Sequence, residues 1–308
     1  MTELFRLRVN VFPGGFNWPL FAAIEKGAFA REGIAVELQA TAGSMAQMSG
    51  LAAGDFEIAM TGFDNVVAYV EGQGEAPIGA QPEFFAFLGS DDSFLSLAAQ
   101  SEIARTAQLR GRTISVDAAT TGYAFALFDM LASAGLKEGD YAVVKVGGMA
   151  QRLEDLTRGG SAATLLSAPY DLLAERAGLR VLGRLEGPYQ GNVGAARRGW
   201  ARSNPDLVAA YIRAYLAAVR WLYEPGNRLE ACDILKRNVP AMTPELAAAS
   251  YRVLLAANGG FFRDGRVQEE GVRRVLRLRS RYAAERRVLS DPGKYVDLRY
   301  WELARGTA

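Results

Sequence analysis

The chain has 308 residues, half of them apolar, with 22% charged residues and a formal net charge of +1. That length suits two domains of about 150 residues or one large one, and the apolar half can bury a sizeable core. The near-neutral balance excludes a disordered, tail-like chain and gives no reason to expect nucleic acid as a partner. There is no histidine and a single cysteine, Cys232. Ser-His-Asp and Cys-His catalysis, His-ligated zinc, an intrachain disulfide and a CxxC redox pair are therefore excluded.

At the N-terminus Phe5, Leu7, Val9 and Val11 alternate with Arg6, Arg8 and Asn10, the period of a strand over 5–12. This segment lacks the unbroken apolar stretch of a signal peptide, and no run of about 18 apolar residues marks a membrane span. A helix follows over 19–29, with Asn17 as a possible N-cap and Gly33 beyond its end, then a strand over 34–40. Ser44 is positioned to cap a helix reaching Ala53. Glu57 to Met60 reads as a strand and Phe63 to Val70 as a helix. The pattern returns with strands over 112–117, 141–146 and 162–166 and helices over 123–134, 149–158 and 170–177. Such alternation is the signature of βαβ units and parallel sheets.

Two stretches thus share one plan and predict two α/β lobes. Strands near Phe84–Leu88, Phe94–Ala99 and Gly191–Ala196 are the candidate crossings between them. The expected lobes are 1–88 with 191–308, and 89–190. After residue 198 the chain turns helical. Asn204-Pro205 starts a helix whose apolar stripe runs through Leu207, Val208, Tyr211, Ile212, Tyr215, Leu216, Val219 and Leu222. Further helices fit 228–237, 244–257 and 268–287. The arginines of the last (Arg273, Arg274, Arg277, Arg279, Arg281, Arg287) read as a solvated helix face rather than a nucleic-acid patch. Cys232 reads as buried packing.

The segment Pro19-Leu20-Phe21-Ala22-Ala23-Ile24-Glu25-Lys26-Gly27-Ala28-Phe29, followed by Glu32-Gly33-Ile34 and by Leu51-Ala52-Ala53-Gly54-Asp55-Phe56-Glu57-Ile58-Ala59-Met60-Thr61-Gly62, is distinctive. With Leu109-Arg110-Gly111-Arg112, Ala163 to Tyr170 and Ser203-Asn204-Pro205, it closely resembles the type II periplasmic-binding-protein-like group of SsuA/THI5-like, or NMT1-like, substrate-binding proteins of ABC transporters. The resemblance covers most of the chain. It implies two α/β lobes with a ligand cleft between them and a helical C-terminal tail. Ser167-Ala168 stands where the group usually has Trp-Glu. The group's eukaryotic pyrimidine synthases consume a histidine, so the lack of one argues against that activity.

Ligands of open parallel sheets bind at the carboxyl ends of strands. In the first such loop Phe16 and Trp18 offer stacking faces and Asn17 a donor and an acceptor; the alternative is a turn with a core aromatic. Ser44 opens a helix whose N–H groups favour an anion, or is a plain N-cap. Thr61 offers a hydroxyl and Phe63 a face. Asp64 either caps its helix or points into the cleft, where it selects a ligand with a donor or positive charge. Thr120, Thr121, Gly122 and Tyr123 form the matching loop of the second lobe, suited to a carboxylate, sulfonate or phosphate. Tyr170 follows the last strand, and Tyr189 and Gln190 lie where they can close the cleft. No arginine clamp is evident among these residues.

The expected function is binding of a small organic ligand, planar or anionic (sulfonate, carboxylate or pyrimidine-like), between closing lobes, without metal or cofactor. Expected partners are the solute and an ABC permease, with no nucleic acid, no membrane span and a monomeric chain. The alternatives are a cytosolic decarboxylase or dehydratase using Asp64 or Tyr170 as acid or base, and a cytosolic ligand sensor. A periplasmic location is expected if a signal peptide has been removed, a cytoplasmic one if Met1 is the native start.

Overall fold

The alternation resolves into two five-stranded sheets in a computed structural model that describes residues 3–79, 82–240 and 242–306. The first stretch forms β1 (Phe5–Val11), α1 (Trp18–Glu25), α2 (Ala28–Arg31), β2 (Ile34–Ala40), α3 (Ser44–Ala53), β3 (Ile58–Gly62), α4 (Phe63–Val70) and β4 (Phe84–Gly89). The helix expected over 19–29 is two helices. Gly27 adopts φ 67°, a left-handed conformation that ends α1 and restarts the chain as α2.

The middle stretch forms β5 (Ser96–Ala99), β6 (Thr113–Val116), α5 (Gly122–Ser133), β7 (Ala142–Lys145), α6 (Met149–Thr157), β8 (Ala163–Leu166), α7 (Tyr170–Arg176) and β9 (Arg180–Arg184). The sequence reading missed β9. It is an edge strand with charged ends and an internal Gly183, so it shows no clean alternation.

The chain leaves the first sheet after β4 and enters the second at β5. It returns after β9 through β10 (Asn192–Arg197). The first sheet runs β2-β1-β3-β10-β4, with β1 parallel to β2 and β3 and β10 antiparallel to both its neighbours. The second runs β7-β6-β8-β5-β9, with β6 parallel to β7 and β8 and β5 antiparallel to both of its neighbours. Each sheet thus has four strands running one way and one, β10 or β5, that follows a crossing and runs against them.

The remaining helices are α8 (Arg198–Ser203), α9 (Pro205–Tyr223), α10 (Arg228–Asn238), α11 (Pro244–Leu254), α12 (Glu269–Tyr282) and α13 (Arg299–Arg305). Short α8 and α13 were not expected. The stripe on α9 buries Val208, Tyr211, Ile212, Tyr215, Leu216, Val219 and Leu222 against α1, α2 and α13. Each such side chain contributes about 1.5–3 kcal/mol on burial.

The arginine-rich helix corrects an expectation. α12 packs on α4 and α5, burying Val272, Val275, Leu276 and Leu278. The helical period sets Arg279 on that same face, and it is only 1% exposed, whereas Arg273, Arg277 and Arg281 face outward. One apolar core runs from Phe63 and Val66 on α4 through Phe125 on α5 to Val272 and Leu276 on α12.

Candidate functional site

The two crossings meet at Asp91, whose carboxylate is fully buried. Its Oδ1 accepts from the backbone N–H of Ser93 at 2.8 Å and of Asn192 at 3.1 Å, while the Asn192 Nδ2 donates to Oδ2 at 3.1 Å. The Gly191 N–H donates to the Asp91 carbonyl at 2.9 Å. Burial pushes the Asp91 carboxyl above its ordinary range, and these donors oppose the rise. Gln190, expected to close a cleft, is instead part of this knot. Its Oε1 accepts from the Gln268 N–H at 2.7 Å and its Nε2 donates to the Asn192 carbonyl at 3.2 Å. Tyr189 is buried, its ring centroid 6.5 Å from that of Tyr123.

Loops at the carboxyl ends of the parallel strands of the two sheets face each other. A Cβ added to Gly122 at the start of α5 would lie 2.3 Å from the Asp64 Cβ, so only glycine permits this approach. A Cβ on Gly15 would lie 3.2 Å from the Ala168 carbonyl oxygen. The lobes therefore touch through the loop after β1 against the loop after β8, and through α4 against α5.

Several candidate residues are occupied by structural roles. Trp18 is fully buried, its Nε1 donating to the Ala231 carbonyl at 3.0 Å and its ring edge-on to Tyr251, so it offers no face to a ligand. Asn17 does not cap α1 with its side chain; its Nδ2 donates to the Phe12 carbonyl at 2.6 Å. Ser44 is the first residue of α3 rather than its side-chain cap, and is half-buried. Thr61 accepts from the Asn65 Nδ2 at 2.8 Å, and Phe63 is a core residue set edge-on to Tyr295. Asp64 does not point free into a cleft. Both its oxygens are held by Arg279, so it is not an available acid or base. Thr121 caps α5, accepting from the Ala124 N–H at 3.4 Å and donating to Asp117 Oδ1 at 2.8 Å. Thr120 is exposed and donates to Glu75 Oε1 at 2.6 Å, linking the second sheet's loop to the segment after α4.

Phe16, Tyr123 and Tyr170 are half-buried aromatics on these loops. Burial pushes the Tyr123 phenol well above its usual value, with Asp91 adding to the rise, and burial also raises Tyr170. The Ser93 Oγ is enclosed and makes no hydrogen bond of ordinary geometry, although it lies close enough to the Tyr123 hydroxyl to oppose that rise.

One charged residue escaped the sequence reading. Arg152 on α6 is buried beside the carboxyl end of β8, its Nη1 donating to the Leu165 carbonyl at 2.7 Å. The signal was legible in retrospect: Met149, Arg152, Leu153 and Leu156 share one side of the helix, so an arginine occupies a core-facing position.

Two surface concavities, of about 440 and 520 Å³, lie away from these loops. The first is lined by Lys236, Asn238 and Thr243, the second by Glu83, Arg197 and Trp200. Among the described residues no group of three or more His, Cys, Asp or Glu side chains is placed to hold a metal, and no helix is long and apolar enough to cross a membrane.

Comparison with known proteins accords with this architecture. A model of the NMT1-like family matches residues 2–236. No curated protein sequence matches the chain. The periplasmic nitrate-binding protein NrtA of Synechocystis PCC 6803 superposes with a TM-score of 0.79 at 14% identity, covering 99% of this chain and 89% of that one. The alkanesulfonate-binding protein SsuA of Xanthomonas axonopodis pv. citri, bound to MOPS, gives 0.74 at 14% identity, covering 95% and 96%. The desulfurization enzyme DszB gives 0.66 at 14% identity, covering 98% and 99%. At these identities the likenesses establish the type II periplasmic-binding-protein fold.

Proposed function

Because the chain belongs to the NMT1-like family, we propose that it is a solute-binding protein that holds a small organic solute between two lobes and passes it to an ABC permease. The solute is planar or anionic: a sulfonate, a carboxylate or a pyrimidine-like compound. The lobes are 1–88 with 191–308, and 89–190, with α12 lying across their junction. A periplasmic location and a monomeric chain belong to the same reading.

The observation that carries it is the apposition of segments that follow parallel strands of two separate mixed sheets, Gly122 on Asp64 and Gly15 on Ala168. Open parallel sheets bind ligands at that edge. Both crossings are tied at Asp91 and Asn192, a natural pivot for closure. Phe16, Tyr123 and Tyr170 supply aromatic surface for a planar body.

Native mass spectrometry of the protein incubated for hours with a pool of small carboxylates, sulfonates and heterocycles tests the reading. A solute retained at unchanged mass is the expected result. Loss of carbon dioxide or water from a pool member would replace the binder with an enzyme on this fold.

A further inference from the structure

The geometry points to Arg152 as the receptor for the anionic group of the solute, an inference that rests on the solute-binding reading. Arg152 is only 3% exposed, yet among the described residues it makes no ion pair. Its Nη1 uses neutral acceptors, the Leu165 carbonyl at 2.7 Å and the Thr164 Oγ1 at 3.4 Å, and its Nε is enclosed without a partner.

The other deeply buried arginine marks the contrast. Arg279 meets Asp64 with two nitrogens, Gln73 with a third contact and the Thr120 carbonyl with a fourth. Buried charges are ordinarily paired in this way, because leaving water costs several kcal/mol per ion. A guanidinium stays protonated throughout the physiological range, so Arg152 carries a buried charge that no carboxylate among the described residues contacts directly, with Asp117 acting on it only through space.

Its position identifies the missing partner. Arg152 sits one turn into α6, beside the end of β8. Ser167, the next residue after β8, donates to the Sδ of Met149 at 3.2 Å, at the start of that helix. The following residue, Ala168, is the one that meets Gly15 of the other lobe. The Thr164 hydroxyl that the Arg152 Nη1 meets donates in turn to the Ser115 carbonyl at 2.8 Å, on β6, the strand that leads into the Thr120–Tyr123 loop. A planar guanidinium with unused N–H donors matches a carboxylate or sulfonate. Tyr123, the half-buried aromatic of that loop, suits a ring carried by that anion. The solute class is therefore a small aromatic carboxylate or sulfonate.

Isothermal titration with benzoate and benzenesulfonate, and with uncharged benzamide and benzenesulfonamide, tests this on the full chain. The wild type is expected to bind the anions at least about tenfold more tightly than the amides. Arg152→Gln is expected to abolish that preference while leaving amide binding within about twofold; Arg152→Lys keeps part of it. Equal affinity of the wild type for anion and amide overturns the inference without any variant. So does a folded Arg152→Gln protein that still prefers anions, and in both cases the solute-binding reading stands. A wild type that binds none of the four probes overturns the inference, whereas the solute-binding reading falls only if the native mass spectra show no retained pool member.

Discussion

Arg279 on α12 grips Asp64 on α4, Nε donating to Oδ1 at 2.7 Å, and the same guanidinium donates through Nη2 to the Thr120 carbonyl at 2.9 Å. One side chain therefore joins a strand-end element of the first sheet to the loop that opens α5 in the second. Its carbon lies 5.0 Å from the Phe125 ring centroid, adding a cation–π contact on the second sheet's side. The pair is buried, so removing one partner strands the other. Asp64→Asn or Arg279→Met is expected to cost about 3–5 kcal/mol, and the two together less than their sum. Urea unfolding of the four proteins of this cycle measures it; additive losses would mean that the pair is not coupled.

The contact of Gly122 with Asp64 leaves no room for a methyl group. Gly122→Ala is expected to lower stability by about 1–3 kcal/mol by forcing α4 and α5 apart. Gly43→Ala is the control, because a Cβ there meets nothing within 4 Å. Thermal unfolding of both variants decides the matter, and equal melting temperatures would show that the two helices do not meet this closely in solution.

Asp92, beside Asp91 on the crossing, gives the stability of the protein a pH dependence. Burial, reinforced by the charge of Asp91, raises its pKa from 3.8 to about 6. The folded state therefore holds a proton that the unfolded state has lost across that interval. The sign follows: Asp92 contributes its full stability below about pH 4 and loses it as pH rises through about 6. Glu71 and Asp297, whose pKa values are lowered, act in the opposite direction as pH falls. The comparison with Asp92→Asn isolates the effect. The variant is expected to gain about 2 kcal/mol on the wild type between pH 4 and pH 7.5. Parallel stability profiles for the two proteins would refute it.

Trp18 looks from sequence like a stacking residue and is in fact a core anchor. Trp18→Phe removes the hydrogen bond to the Ala231 carbonyl and part of the buried ring. A loss of about 1–3 kcal/mol in unfolding free energy is expected, with affinity for any bound solute unchanged. Weaker solute binding at unchanged stability would return Trp18 to the site.

Most of the fold was legible because its signals are local. The alternation at Phe5, Leu7, Val9 and Val11 and the stripe from Val208 to Leu222 are backbone periods that a single sheet face or helix face imposes on neighbouring residues. What stayed illegible was short or at an edge: β9, α8 and α13 bury too few residues to impose a pattern.

The candidate site was legible only as a set of loops. Position at the carboxyl end of a strand follows from strand order, but the role of each side chain there does not. Asp64, Thr121 and Gln190 find partners up to 215 residues away or within their own turns, and those partners consume them. Sequence spacing carries no record of such pairings.

The sequence by itself determined the two-lobed α/β plan, the crossings and the exclusion of histidine, disulfide and cysteine-pair chemistry, because these depend on composition and on periods of 2 and 3.6 residues. The tertiary structure alone decided which charges are satisfied. It set Arg279 on Asp64 and, across the junction, on the Thr120 carbonyl, and left Arg152 buried beside β8 without an ion pair among the described residues. Whether a buried charge is neutralised depends on distances between residues far apart in the chain, and only folding sets those distances.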